Sequence, residues 1–213
     1  MLLELKKIVV PPGQTIILQD INWSDFESIL EELGEERSSR IAYDGNTLSI
    51  MKPLPEHEVN KVLIGDLVKT LLEELDIEFW ALGSTTFKNK IMQQGLEPDD
   101  CFYIQNESAI RGKDRIDLTF DPVPDLAIEI EVTSRSNLDI YAKLGVKELW
   151  RFNNKELKID LLQDDVYISS DTSAIFSNLP IITIIPEYIA KAKQNGRNKT
   201  IKEFRQWINK QSQ

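Results

Sequence analysis

Residues 124–134, PDLAIEIEVTS, place Leu126, Ile128, Ile130 and Val132 at every second position and set Glu129 and Glu131 between them. Side chains two apart share one face of a strand, whereas a helix would scatter them, so this segment predicts a β-strand with one apolar and one acidic side. Segments with helical periodicity precede and follow it, as expected for a central strand covered on both faces. An unpaired carboxylate is expensive to bury there. The acidic side is therefore either wet or occupied by something cationic. Asp125 shares the face of Glu129, but four residues of extended chain separate them by about 13 Å, which suits it to capping the strand entrance beside Pro124.

The remaining elements follow from similar patterns. Ser24 with Glu27 reads as a capping box, and Phe26, Ile29, Leu30 and Leu33 recur at helical spacing up to Gly34, predicting a helix over residues 24–33. RIAYDGNTLSI is a hairpin signal around Asp44 and Gly45. A long helix is expected over residues 56–75, with Val59, Val62, Leu63, Leu67, Leu71 and Leu75 on its buried side. IEFWAL, STTFKN and CFYIQ read as short strands, LDIYAKLGV as a short helix, and KELWRFN, ELKIDLL and DVYISS as consecutive strands. IITIIPEYIAKAKQNG reads as a helix broken or started at Pro186, and Thr200 with Glu203 as a second capping box opening the last helix. This order predicts an α/β class with helices packed on a mixed central β-sheet.

No linker rich in Gly, Ser and Pro divides the 213 residues, so one domain is expected: an N-terminal extension over 1–38 with one helix, the body, and a basic helical segment over 186–213. With Cys101 and His57 the sole residues of their types, an internal disulfide and a zinc cluster are excluded. The longest apolar runs fall short of the roughly 20 residues of a membrane span, and MLLELKK carries no secretion signal. A cytoplasmic protein is the expectation.

A net charge of −10 argues against coating nucleic acid through bulk attraction. The charge is segregated, however. Residues 99–139 carry ten acids against four bases, and from Lys191 onward Lys191, Lys193, Arg197, Lys199, Lys202, Arg205 and Lys210 face Glu203 alone. Like-charged neighbours such as Glu129 and Glu131 repel unless a proton or cation intervenes. Asp99, following Pro98 into a likely neighbouring strand, is placed to join them. Converging carboxylates of this kind suit Mg²⁺, which takes one or two of them and completes its octahedron with water.

Pro98-Asp99 followed by Glu129-Ile130-Glu131 on an apolar strand resembles the PD-(D/E)XK nuclease superfamily. EPDDCFYIQNE, RGKDRIDLTFDPVPDLAIEIEVTSRS, IYAKLGVKELWRF and GRNKTIKEFRQWI together resemble the Uma-type restriction-endonuclease family over about residues 39–208. The resemblance implies a restriction-endonuclease-like core, cleavage of DNA, Mg²⁺ (or Mn²⁺) as cofactor, and a homodimer whose two sites cut both strands. It implies Asp99 and Glu129 as metal-binding carboxylates with the Ile130 carbonyl as a further ligand. Glu131 then stands where the superfamily carries lysine, and an acid there serves as auxiliary ligand or base. Family members also carry Lys or Arg four residues before the tyrosine corresponding to Tyr141, and here that place is Asn137. Lys143 or Arg135 are the substitutes within reach. The absent lysine keeps two other readings open: a catalytically inactive nuclease-fold binding or assembly module, and a hydrolase of small phosphoesters.

His57 and Glu58, at the start of the long helix, are auxiliary candidates for the same site; alternatively the acids there answer the helix dipole and His57 is a solvated neighbour. Thr133 and Ser134 either orient a ligand or end the strand. Cys101, Tyr141 and Trp150 read as core residues. Lys199, Lys202 and Arg205, with Trp207 for stacking, form either a phosphate-contacting arm or a solvated helix face.

Overall fold

The computed structural model describes residues 8–34, 37–131 and 137–211. The elements run β1 (Thr15–Leu18), α1 (Trp23–Leu33), β2 (Arg40–Tyr43), β3 (Leu48–Met51), α2 (Pro55–Glu74), β4 (Trp80–Ala81), β5 (Phe87–Asn89), β6 (Gln94–Leu96) and β7 (Asp100–Tyr103). Then follow α3 (Glu107–Ile110), β8 (Leu126–Ile130), α4 (Leu138–Leu144), β9 (Glu148–Phe152), β10 (Leu157–Gln163), β11 (Val166–Ser170), α5 (Ile181–Asn195) and α6 (Arg197–Gln211). Among the described residues no helix is long and apolar enough to cross a membrane.

The strands form two sheets flanked by helices. The mixed one has the order β11-β10-β9-β8-β7-β4, with β8 parallel to β9 and antiparallel to β7. The acidic strand is thus central, as its alternation requires. On one face Leu126, Ile128 and Ile130 pack with Leu67, Ile64 and Leu71 of α2, Ile185 and Ile189 of α5, and Phe204 and Ile208 of α6. On the other face Ala127 lies with Cys101, Tyr103, Ile140, Tyr141 and Leu149. Both faces of β8 are therefore dry along most of its length, and any carboxylate at its end sits in a low-dielectric setting.

The second sheet is antiparallel, in the order β1-β3-β2-β6-β5. The Asp44–Thr47 turn joins β2 and β3 as predicted, with the Asp44 carboxylate accepting from the amides of Asn46 and Thr47. Strand β6 carried no sequence signal. It lies where Gly95 lets the Phe26 ring of α1 approach so closely that a Cβ would stand 2.6 Å from it. β1 pairs with β3, and Trp23 and Phe26 pack on Tyr43, so the N-terminal segment is built into this sheet.

Several local expectations are corrected. Helix α1 is capped by Asn22, whose side chain accepts from Asp25 N at 3.0 Å, and Ser24 lies inside it. Val59 and Val62 are 49% and 54% exposed, because the buried arc of α2 runs through His57, Asn60, Ile64, Leu67 and Leu71. Pro186 neither starts nor breaks α5. It lies about one turn inside, removing one backbone bond while Ile184, Ile185, Tyr188 and Ile189 remain buried. Thr200 is likewise within α6, its hydroxyl donating back to Gly196 O at 3.0 Å.

Candidate active site

Strand pairing brings the sequence's two leading acids together. Asp100 lies opposite Ile128 in the antiparallel β7–β8 ladder, and one more step of that register sets Asp99 against Glu129. Asp99 N donates to Ile128 O at 3.1 Å, and Asp99 Oδ2 accepts from Ile130 N at 2.8 Å. The side chain of Asp99 thus continues the ladder that its backbone begins, which locks its orientation. Its carboxylate lies near enough to Glu129 for its charge to raise the Glu129 carboxyl.

Three further elements close on this pair. His57, in the first turn of α2 and 2% exposed, brings Nε2 to 3.0 Å from Asp99 Oδ2; the solvated alternative for this residue is thereby corrected. Glu58 stands beside it, Oε1 lying 3.7 Å from His57 Nδ1 and 3.5 Å from an Arg40 guanidinium nitrogen. Arg40, the first residue of β2, brings Nε to 3.8 Å from Asp99 Oδ1. From the opposite side Tyr141 of α4 donates its hydroxyl to Glu129 Oε1. Pairing and helix packing, not proximity in sequence, assemble the group.

The electrostatics follow from burial. Glu129 is held well above the ordinary glutamate range, first by desolvation, then by the charge of Asp99, with the Tyr141 hydrogen bond opposing the shift. Burial likewise raises the Tyr141 phenol, reinforced by Glu129. Glu131 follows the last residue of β8 and engages Arg151, whose guanidinium lies 3.5 Å from Glu131 Oε1 and 2.6 Å from Asp160 Oδ2. A cleft of about 260 Å³ opens onto Glu129, lined by Arg40, Ser49, Glu97, Glu129, Ile130 and Asn137 among others.

The other sequence candidates are distributed as follows. Lys143 is exposed on α4, two residues from Tyr141 and so turned about 200° away around the helix. Ser134, with Thr133 and Arg135, lies outside the described residues. Asn137 lines the cleft at the N-terminus of α4. Asp125 accepts from the Ile104 and Asn106 amides, anchoring the loop after β7. Cys101 is fully buried. Lys199 and Lys202 are exposed on α6, whereas Arg205 bridges to Glu73 and Glu74 of α2, and Trp207 stacks on Phe204 with centroids 5.7 Å apart. Arg40 was missed by the sequence reading, and Tyr141 was read as core alone. Nothing local distinguishes either, since each acts on a carboxylate carried by another element.

Among the described residues no group of three or more His, Cys, Asp or Glu side chains is arranged to hold a metal. Two neighbouring carboxyls, mutually repulsive when ionised, with Glu129 on the cleft, fit a hard cation that keeps several waters and fit poorly a zinc site needing a full protein shell.

A family model described as "Uma2: Putative restriction endonuclease" matches residues 23–184. Comparison with curated proteins gives no match. Among solved structures, the chain is similar to a crystal structure described as a putative nuclease belonging to DUF820 from Anabaena variabilis ATCC 29413. The identity is 14% and the TM-score 0.51, over 88% of this chain and 99% of that one. At that identity the likeness concerns the fold.

Proposed function

Since this chain belongs to the Uma2 family, whose description is "Putative restriction endonuclease", we propose that it is a divalent-metal-dependent nuclease hydrolysing DNA phosphodiester bonds. The observation that carries this reading is the β7–β8 register, which sets Asp99 against Glu129 where Glu129 lines the cleft. Asp99, Glu129 and the Ile130 carbonyl would hold Mg²⁺ or Mn²⁺. Bound there, the ion supplies a Lewis acid for the phosphate and a more acidic water.

The chain's own residues prepare that site. Ile130 N holds Asp99 by its Oδ2, and His57 Nε2 lies 3.0 Å from the same oxygen. Tyr141 steadies the ionised form of Glu129. Glu131, kept in position by Arg151, serves as auxiliary ligand or accepts the proton of the attacking water. The water oxygen bonds to phosphorus as the bond to one ester oxygen breaks; that oxygen leaves with the bonding pair and takes a proton from solvent, giving a phosphomonoester and an alcohol end. Two copies of the chain, one per strand, would complete a duplex cut. Lys199 and Lys202 on the exposed face of α6 are available to the DNA backbone.

Incubating plasmid and oligonucleotides with Mg²⁺ or Mn²⁺ tests the proposal, with wild type compared against Glu129→Ala. Metal-dependent cutting abolished by the substitution is the expected result. Glu131, standing at the lysine's place and ion-paired with Arg151, favours a second reading, a catalytically silent module. Metal binding by calorimetry with no cutting of DNA, RNA or a simple phosphodiester would select it. Hydrolysis of the simple ester alone would point instead to small phosphoesters.

A further inference from the structure

We infer that Arg40 is the phosphate-facing cation of this site, supplying from a different sheet the positive charge that the acid-x-acid pattern of β8 lacks. The inference rests on the nuclease reading above and adds a residue to the same site. A phosphodiester gains negative charge on its non-bridging oxygens as water adds, and a positioned cation there is worth more than a diffuse one. The lysine expected beside Glu129 is replaced by Glu131, which Arg151 engages. Lys143 is exposed on another side of α4. Arg40, by contrast, lines the cleft together with Glu129 and Ile130.

Its donors are only partly used. The side chain is 17% exposed; Nε lies 3.8 Å from Asp99 Oδ1, beyond hydrogen-bond range, and one terminal nitrogen donates to Glu58 Oε1 at the long limit of 3.5 Å. The Nε proton is buried and has no hydrogen-bond acceptor among the described residues. Buried donors of a guanidinium are rarely left unmet, and the planar fork matches a phosphate's paired oxygens. The two carboxylates hold the guanidinium at the cleft without saturating it. Placement on β2, a regular strand paired on both sides, fixes its origin relative to β7 and β8.

The test uses the full chain with Arg40→Ala and Arg40→Lys, both checked for folding by thermal unfolding. First, binding of a labelled duplex is followed by fluorescence anisotropy in chelator at several salt concentrations. Loss of one phosphate contact should make the slope of log affinity against log salt shallower by about one in Arg40→Ala, with Arg40→Lys near wild type. Second, single-turnover cleavage at saturating Mg²⁺ should fall about 100-fold in Arg40→Ala and recover in part in Arg40→Lys. If Arg40→Ala fails to fold, Arg40→Gln and Arg40→Lys carry the same comparison.

An unchanged slope, or a cleavage rate at saturating Mg²⁺ equal to that of wild type, overturns the inference, because Arg40 would then act only by screening Asp99. The two readings separate cleanly. Wild type that cuts DNA alongside an equally active Arg40→Ala removes Arg40 and leaves the nuclease. Wild type that cuts nothing but loses the salt-slope increment on substitution removes catalysis and leaves the Arg40 contact. A wild type that neither cuts nor binds duplex overturns both.

Discussion

Tyr141 on α4 donates its hydroxyl to Glu129 on β8, and this is the interaction within the site that favours the ionised glutamate against burial and the neighbouring Asp99. Tyr141→Phe keeps the buried ring and removes that donor. A hydrogen bond to a charged group contributes about 1.5–3 kcal/mol, so Glu129 should titrate still higher. Cleavage at subsaturating Mg²⁺ should drop at least about ten-fold, and raising pH or Mg²⁺ should restore it. A Mg²⁺ titration of the cutting rate at two pH values measures this; an equal loss at saturating Mg²⁺ would contradict it.

Stability should depend on pH through the same glutamate. Its folded value lies above its unfolded one, so between the two the folded chain keeps a proton that the unfolded chain has released. Stability is therefore full below the ordinary glutamate range, falls as pH rises towards the raised value, and is level beyond it. In chelator, Glu129→Gln should lack this decline and melt higher than wild type at mildly alkaline pH. Thermal unfolding across a pH series decides it.

Installing the lysine that the superfamily pattern carries should not help. Glu131→Lys would face Arg151 where the carboxylate now lies 3.5 Å away, in a pair whose side chains are only 13% and 16% exposed. Removing the partner and adding a like charge should cost about 1–3 kcal/mol. The double variant with Arg151→Glu should recover part of that loss in a double-mutant cycle by chemical denaturation.

Gly65 tests how closely α2 packs on β7. A Cβ there would stand 2.6 Å from Asp100 Oδ2, and the Asp100 carboxyl is itself raised by burial. Alanine gains about 1 kcal/mol of helix propensity, but overpacking of this kind costs about 1–3 kcal/mol. Gly65→Ala should therefore be net destabilising or neutral, and the same change combined with Asp100→Ala should release the helix gain. Denaturant midpoints distinguish the cases.

The basic C-terminal helix should divide by function. Arg205 is occupied with Glu73 and Glu74, so Arg205→Ala should lower stability and leave the salt dependence of duplex binding unchanged. Lys199→Ala and Lys202→Ala, on the exposed side, should each make the salt slope shallower by about one if they touch phosphate. Anisotropy titrations with unfolding curves read both.

Features written in local periodicity were legible without coordinates. The alternation around Ile128 determined a strand carrying Glu129, Asp44-Gly45 determined a hairpin, and Gly145 ended α4, since each depends on residues within one turn or a few ångströms of chain. Apolar counts along α2 misplaced Val59 and Val62, because which arc is buried depends on what the helix meets. Tertiary structure alone decided that Asp99 faces Glu129, that His57 and Arg40 close on Asp99, and that Tyr141 reaches Glu129 while Arg151 engages Glu131. Those contacts join side chains from separate elements, and their geometry comes from strand register and helix packing, which no short stretch of sequence encodes.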